Sequence, residues 1–234
     1  FVPDFNILSF PFLFPSAEVA DKVLDGEVGQ NLLDKLEDHG MIGLNYWEEG
    51  FYNISNNVRP INSADDLQGI NIRTMENDIL LDIFKALGAN PTPMAFSEVY
   101  TALQQGTVDA QTNPLSQIYE SKYYEVQDYV SATKDYYGSW VFLMNKEFFE
   151  GLSEEEQEVV TRASFEARDV ERQLIRDTES EYRDLLIEEG VEYNELTEEG
   201  RQSIADTIQP VIDEYSKEIQ ETADEFFNAI EEAQ

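Results

Sequence analysis

The chain has 234 residues, with 49 Asp and Glu against 15 Lys and Arg and a formal charge of −34. This balance excludes nucleic acid and anionic lipid surfaces as partners, because both would repel the chain. The lack of cysteine excludes disulfides and thiol nucleophiles, while a hydrophobic content of 41% is sufficient for a folded core.

The first third of the chain predicts a helix followed by strands. The helix runs from Ser16, a typical N-cap residue, to Gly40, a typical stop. Strands are predicted in "MIGLNYW", "FYNIS" and "GINIR", with a capped turn "SADDL" before the last of them. The apolar run 10–14 is too short to cross a membrane and indicates a buried strand or a turn. The chain opens without Met, a basic region or a cleavage site, so we expect a processed start or a missing N-terminus.

The middle and the end of the chain alternate helices and strands before becoming wholly helical. Helices are predicted in "NDILLDIFKALG" and "SEVYTALQQG", and strands in "TVDAQ", "VQDYVSAT" and "SWVFLMN". Ser153 and Glu156 have capping-box spacing and begin one long helix that ends near Gly190. The tail from Thr197 is helical, with a kink or restart at Pro210. This order predicts an α/β fold with a mainly parallel sheet, braced by helices.

Two explanations of the acidic charge compete. One is an acidic surface for a partner, and the other is adaptation to very high salt. The acidic residues are spread over almost every predicted helix and Lys is scarce, which favours the second explanation. In molar salt the Debye length falls to about 3 Å, so that self-repulsion is largely screened.

The sequence offers little for catalysis. The one histidine, His39, lies near a helix end, where a cation is favourable with the helix dipole. There is no nucleophile elbow, no phosphate-binding loop, no dinucleotide fingerprint and no calcium loop. We therefore predict no catalytic residues, no metal site, no cofactor and no enzymatic activity.

Arg73 and Asn113 are candidates for binding an anion. Each ends a predicted strand, and ligands of parallel α/β sheets bind beyond those ends. A guanidinium holds a carboxylate by two parallel hydrogen bonds, although pairing of Arg73 with one of the many acids is the simpler alternative. The segment 89–115 holds two acids and no cation, and Phe96 lies within it. Such a neutral segment is either a cleft wall or a buried core unit, and periodicity does not separate the two.

The runs "DLQGINIRT" and "PTPMAFSEVYTALQQGTVDAQTNPL", with "PFLF", "RPINSADDLQG" and "GLSEEEQEVV", resemble the solute-binding proteins of TRAP (tripartite ATP-independent periplasmic) transporters. The resemblance covers essentially the whole chain, although family members are longer at the N-terminus. It implies a two-lobed periplasmic-binding-protein-like α/β fold with crossing strands and a long bracing helix. Lobe I would comprise 1–48 and 139–178 with its N-terminal part missing, and lobe II would comprise 49–138 and 179–234.

The resemblance also implies the site. The carboxylate-binding Arg falls on Arg73 and its partner on Asn113, and Phe96 falls on a ring that walls the pocket. Five further residues are candidates: three depart from the family pattern, and two lie on the linker between the lobes. Tyr52 stands where many members have a second Arg, Thr112 stands where many have Glu, and Glu76 stands where the residue is often small or neutral; Trp140 and Tyr136 lie on the returning linker.

The implied ligand is a small organic anion or zwitterion. A lost Arg and an added acid favour a monocarboxylate, such as a hydroxy acid or a sugar acid, over a dicarboxylate. The partner would be the membrane permease, and the location periplasmic or otherwise extracytoplasmic, with no direct membrane insertion. The alternative is a ligand-binding sensor domain of the same fold that presents its solute to a signalling partner.

Overall fold

The computed structural model describes residues 2–234. Its strands are β1 Met41–Phe51, β2 Asn53–Asn56, β3 Asn71–Thr74, β4 Asn90–Pro93, β5 Ala110–Asn113, β6 Tyr129–Ala132, β7 Tyr137–Asn145 and β8 Glu192–Glu195. Its α-helices are α1 Ala17–Leu24, α2 Glu27–Asp34, α3 Asp78–Ala86, α4 Val99–Gln104, α5 Leu115–Glu120, α6 Lys146–Glu150, α7 Glu154–Glu188, α8 Glu198–Glu218 and α9 Gln220–Ala233. None of the helices in this range is long and apolar enough to cross a bilayer.

Six strands form one sheet in the order β4-β3-β5-β2-β6-β8. The pairings β3–β4, β3–β5 and β6–β8 are parallel, as predicted for an α/β fold. β2 runs antiparallel to both of its neighbours, β5 and β6, so the sheet is mixed. Consequently β3 and β5 end side by side at the same edge, which is the arrangement that brings their C-terminal residues together.

A second sheet consists of the long strands β1 and β7, which pair antiparallel from Met41↔Asn145 to Phe51↔Tyr137. β1 leads directly into β2 of the larger sheet, and β7 leaves it after β6. These are the crossing strands that the resemblance implies. The predicted lobe boundaries near residues 48 and 138 fall within them and stay a prediction.

The long helix α7 begins at the predicted capping box, in which Ser153 accepts from the Glu156 N–H and the Glu156 side chain accepts from Ser153. Its middle is fixed to α1 and β1 by arginines. Arg172 contacts Asp21 of α1 at 2.9 Å and Asp25, the residue after α1, at 2.8 Å, and Arg176 contacts Glu48 of β1 at 2.6 Å. Two of the few cations in this chain therefore hold the long helix α7 against α1 and the crossing strand β1.

The C-terminal helices pack along the same core. α8 packs on α3, whereas α9 packs on α1 and α2. Of the kink or restart predicted at Pro210, the restart is wrong, because α8 continues through the proline, and the kink stays a prediction. Buried isoleucines on both sides of the proline, Ile204, Ile208 and Ile212, pack on the core and keep the helix continuous despite the missing N–H.

The single helix predicted over 16–40 is also wrong. α1 ends at Leu24 and α2 starts at Glu27, with Gly26 extended between them. A Cβ on Gly29 would lie 2.0 Å from the carbonyl oxygen of Leu24, so the second helix approaches the end of the first more closely than any other residue type would permit. The break turns α2 back towards α1 and β1.

Candidate functional site

The site is built around Arg73, near the end of β3, which is only 4% exposed. Its Nε and Nη2 donate to the carbonyl oxygen of Met94, at 3.1 and 3.0 Å. No Asp or Glu within residues 2–234 forms an ion pair with it. Burial lowers the pKa of Arg73, with hydroxyls of Tyr123 and Tyr52 acting against that shift. The simpler alternative, pairing with one of the many acids, is therefore not what the fold provides.

The hydrogen bonds to Met94 orient the guanidinium. They use one edge of its planar fork, Nε and one N–H of Nη2. The edge formed by Nη1 and the second N–H of Nη2 stays available, and it has the spacing that matches the two oxygens of a carboxylate. A buried guanidinium that is held by a neutral carbonyl carries an uncompensated charge, which makes binding of an anion favourable.

Asn113 lies at the end of β5, beside β3. The parallel pairing of Ile72 with Ala110 sets Arg73 level with Gln111. Because side chains alternate between the faces of a strand, Arg73, Gln111 and Asn113 project from one face. Thr112 projects from the other face, with its hydroxyl buried and without a hydrogen bond in the described part of the chain. The predicted residues Arg73 and Asn113 are thus brought together, and Thr112 does not share their face.

Tyrosine rings stand next to Arg73. The ring of Tyr52 is buried and meets that of Tyr136 edge-on, with centroids 4.8 Å apart, and the backbone N–H of Tyr52 donates to the carbonyl of Tyr136 at 2.8 Å. Burial raises the pKa of Tyr52, and so does Glu49, while Arg73 opposes the shift. Burial likewise raises the pKa of Tyr123. Tyr123 was not among the predicted residues, because it reaches the site only through the fold.

Glu49 is a second unpredicted member of the site. Its carboxylate accepts from the Tyr52 hydroxyl at 2.6 Å and from Gln117 Nε2 at 3.0 Å. Burial raises the pKa of Glu49, and the hydrogen bond from Tyr52 partly opposes that shift. A Cβ on Gly138 would lie 2.8 Å from the Tyr52 ring and 2.9 Å from the Glu49 side chain. Glycine at this position of β7 therefore makes room for the pair.

The remaining predicted residues lie at the margin. Phe96 is 46% exposed, and its ring centroid is 6.4 Å from that of Tyr123. Trp140 is 53% exposed on β7, where it is paired with Trp47 of β1. Glu76 is exposed on the loop after β3. Its orientation, towards a ligand or outward, stays a prediction.

Part of the neutral segment 89–115 is a buried core unit, and its role as a cleft wall stays a prediction. Val99, Leu103, Val108 and Leu115 belong to a core cluster under the site, together with Tyr123. Met94 supplies the carbonyl that holds Arg73, and the segment ends in Asn113 and the turn into α5. A carboxylate at a buried position of this segment would neutralise the guanidinium or be left without a partner, and the two acids that the segment holds, Glu98 and Asp109, are not buried.

Comparison with known proteins agrees with this geometry. Residues 1–218 match the model of the bacterial extracellular solute-binding proteins, family 7. The chain belongs to this family. It is 36% identical over 233 residues to the 2,3-diketo-L-gulonate-binding periplasmic protein YiaO of Escherichia coli, covering 99% of this chain and 70% of that protein.

Solved structures of such proteins have the same fold. The sugar acid binding protein of Advenella mimigardefordensis, in complex with galactonate, is 41% identical, with a TM-score of 0.95 over 100% of this chain and 76% of that one. A TRAP periplasmic solute-binding protein from Polaromonas, bound to D-erythronate, is 37% identical, with a TM-score of 0.91 over 98% of this chain and 75% of that one. The predicted two-lobed α/β fold is confirmed. The chain spans between 39% and 70% of the length of the curated relatives and about three quarters of the solved chains.

Proposed function

We propose that this protein binds a small organic monocarboxylate between its lobes and delivers it to a TRAP-type membrane permease on the extracytoplasmic side. The observation that carries the proposal is Arg73. Its guanidinium is buried, one edge of it is free of hydrogen bonds, and it has no acidic partner in residues 2–234, although the chain has 49 acids. Such a group is left for a ligand carboxylate, which it would hold by two charge-assisted hydrogen bonds.

A monocarboxylate suits the site better than a dicarboxylate. Tyr52 occupies the position at which many members of the family have a second Arg, and its hydroxyl is bonded to Glu49. The site therefore has one buried cation and a carboxylate close by, and a second ligand carboxylate would meet no compensating charge. Hydroxyl groups of a sugar acid would instead find acceptors. The galactonate and D-erythronate bound by the two relatives belong to this class.

The closing motion would use the crossing strands. We place the hinge where β1 passes into β2 and where β6 passes into β7, with α7 as the brace and the predicted segments 1–48 and 139–178 moving against 49–138 and 179–234. Tyr52 and Tyr136 contact each other at these two crossings. A ligand that touches both would favour the closed state by its differential contacts. The ligand leaves unchanged, since the function requires no chemistry.

Isothermal titration calorimetry in multimolar KCl tests the proposal with D-galactonate, D-erythronate, succinate and malonate. We expect binding of at least one sugar acid, at least about tenfold tighter than that of either dicarboxylate, and loss of that binding in Arg73→Ala. Arg59→Ala is the matched control. Arg59 also donates Nε and Nη2 to backbone carbonyls, of Asp66 and Gln68, but on the exposed surface. The proposal would be refuted if both substitutions changed the binding affinity equally, or if the ligand recovered after binding were chemically altered.

A further inference from the structure

The side chain of Asn113 is the last member of a buried chain of hydrogen bonds. Its Nδ2 donates to Gln111 Oε1, and Gln111 Nε2 donates to Ser55 Oγ at 2.8 Å. Ser55 in turn donates to Gln127 Oε1 at 2.9 Å. Gln111, Ser55 and Gln127 are almost completely buried, so solvent does not compete for these bonds. We call these three residues the relay.

Two backbone carbonyls fix the direction of the relay. Gln127 Nε2 donates to the carbonyl oxygens of Asp109 and Val126, at 3.2 and 3.1 Å. A carbonyl only accepts, so the Gln127 amide cannot be turned, and its oxygen must face Ser55. The Ser55 proton goes to that oxygen, which leaves Ser55 able only to accept from Gln111. The oxygen of Gln111 is thereby directed at Asn113.

Asn113 therefore has no choice of orientation. One N–H of its amino group donates to Gln111, because the reverse orientation would set two amide oxygens against each other, and the second N–H has no acceptor within residues 2–234. Its Oδ1 accepts no hydrogen bond from residues 2–234 and lies on the side of the amide away from Gln111. This is on the sheet face that carries Arg73. The site thus offers donors at Arg73 and, at Asn113, an acceptor oxygen beside the second N–H of the same amide.

Building on the proposed function, we propose that Ser55, Gln111 and Gln127 are positioning residues that make Asn113 present its carbonyl oxygen to the ligand. The site then selects an anion that carries a hydroxyl donor near its carboxylate. A ligand without that hydroxyl would bury the Asn113 oxygen unpaired, at a cost of about tenfold or more in affinity. A second carboxylate at this position would set oxygen against oxygen.

The test compares D-erythronate and D-galactonate with their singly deoxygenated analogues, by calorimetry on the 234-residue chain in multimolar KCl. For the wild type we expect one analogue to bind about tenfold or more weaker than its parent. Ser55→Ala breaks the relay, and Gln127→Met removes the carbonyl-anchored amide while keeping a similar shape. Either substitution lets the Asn113 amide turn, so the parent-to-analogue ratio should fall below about threefold.

Ser131→Ala is the matched control. Ser131 is a fully buried serine on β6, on the face opposite Ser55, and its hydroxyl donates to Asn194 at 2.7 Å. It should leave the ratio unchanged. A relay that only supports the structure would weaken parent and analogue in parallel, so an unchanged ratio in both relay variants overturns the inference.

Two other outcomes distinguish a failure of this inference from a failure of the proposed function. Equal binding of every analogue to the wild type, with binding still dependent on Arg73, would overturn this inference and leave the proposed function standing. Failure of both parent sugar acids to bind would overturn the two together.

Discussion

Replacing Arg172 by Met tests whether α7 is held to the rest of the fold by buried charge. The Arg172 side chain is 6% exposed. It donates to Asp25 at 2.8 and 3.1 Å and to the carbonyl of Tyr46 at 2.7 Å, and it lies 2.9 Å from Asp21. Methionine has a similar length and no charge, so the substitution removes these bonds while filling much of the same space.

The expected loss of unfolding free energy depends on which ion pairs Asp21 and Asp25 retain without Arg172. Removing one partner of a buried ion pair costs about 3–5 kcal/mol. Asp21 keeps Arg176 at 2.8 Å and Asp25 keeps Arg168 at 3.0 Å, and both acids are partly exposed, which places the expected cost at the lower end, about 3 kcal/mol. For a protein of this size that corresponds to a fall in Tm of about 6–12 °C.

Urea unfolding in multimolar KCl measures this cost, with Arg162→Met as the control. Arg162 lies on the same helix and its side chain is 59% exposed, 4.0 Å from Glu166. The two substitutions change the net charge equally, so any difference between them is local. Arg162→Met should change the unfolding free energy by less than about 0.5 kcal/mol. A cost below about 1 kcal/mol for Arg172→Met, or the same cost for both, would refute the reasoning.

Three further predictions concern the site and the surface. Burial raises the pKa of Glu49, so the folded state retains this proton longer than the unfolded chain, and stability falls as pH rises from the ordinary carboxyl range to the raised pKa. Glu49→Gln should reduce that fall, which urea unfolding at pH 4.5 and 7.5 measures; an identical fall in both proteins would contradict it. Gly138→Ala should cost about 1–3 kcal/mol and weaken ligand binding, because the new methyl group would lie 2.8 Å from Tyr52; calorimetry that shows unchanged affinity would rule this out. The formal charge of −34 predicts that Tm rises steeply between 0.1 and 3 M KCl, and a flat salt dependence would exclude self-repulsion as a destabilising force.

Much of the architecture was predictable because its signals are local. The capping box Ser153–Glu156 joins residues three apart, and the helix that it begins runs to Glu188, two residues before Gly190. The alternation of strands and helices identified the α/β class, and the ends of two strands identified Arg73 and Asn113 as candidates for binding an anion. Each of these inferences depends on residues a few positions apart or on one rule about where strands end.

The failures have a common cause in packing. The sequence from Ser16 to Gly40 is compatible with one helix, but Gly29 permits a close approach that breaks it into two. Pro210 disfavours a helix, but buried isoleucines on both sides of it keep α8 continuous. At Gly29 a close approach to the backbone of Leu24, and at Pro210 contacts with the core, outweigh a local preference of a few kcal/mol.

The sequence by itself determined the family, the acidic surface and the identity of the cation that we propose for the ligand. Only the tertiary structure decided how that cation is surrounded. Glu49 and Gln117 are separated by 68 positions in the chain, and Ser55 and Gln127 by 72, yet each pair is hydrogen-bonded. The direction of a hydrogen bond and the face of a strand depend on which elements pair and in which register, and no local pattern of residues encodes that.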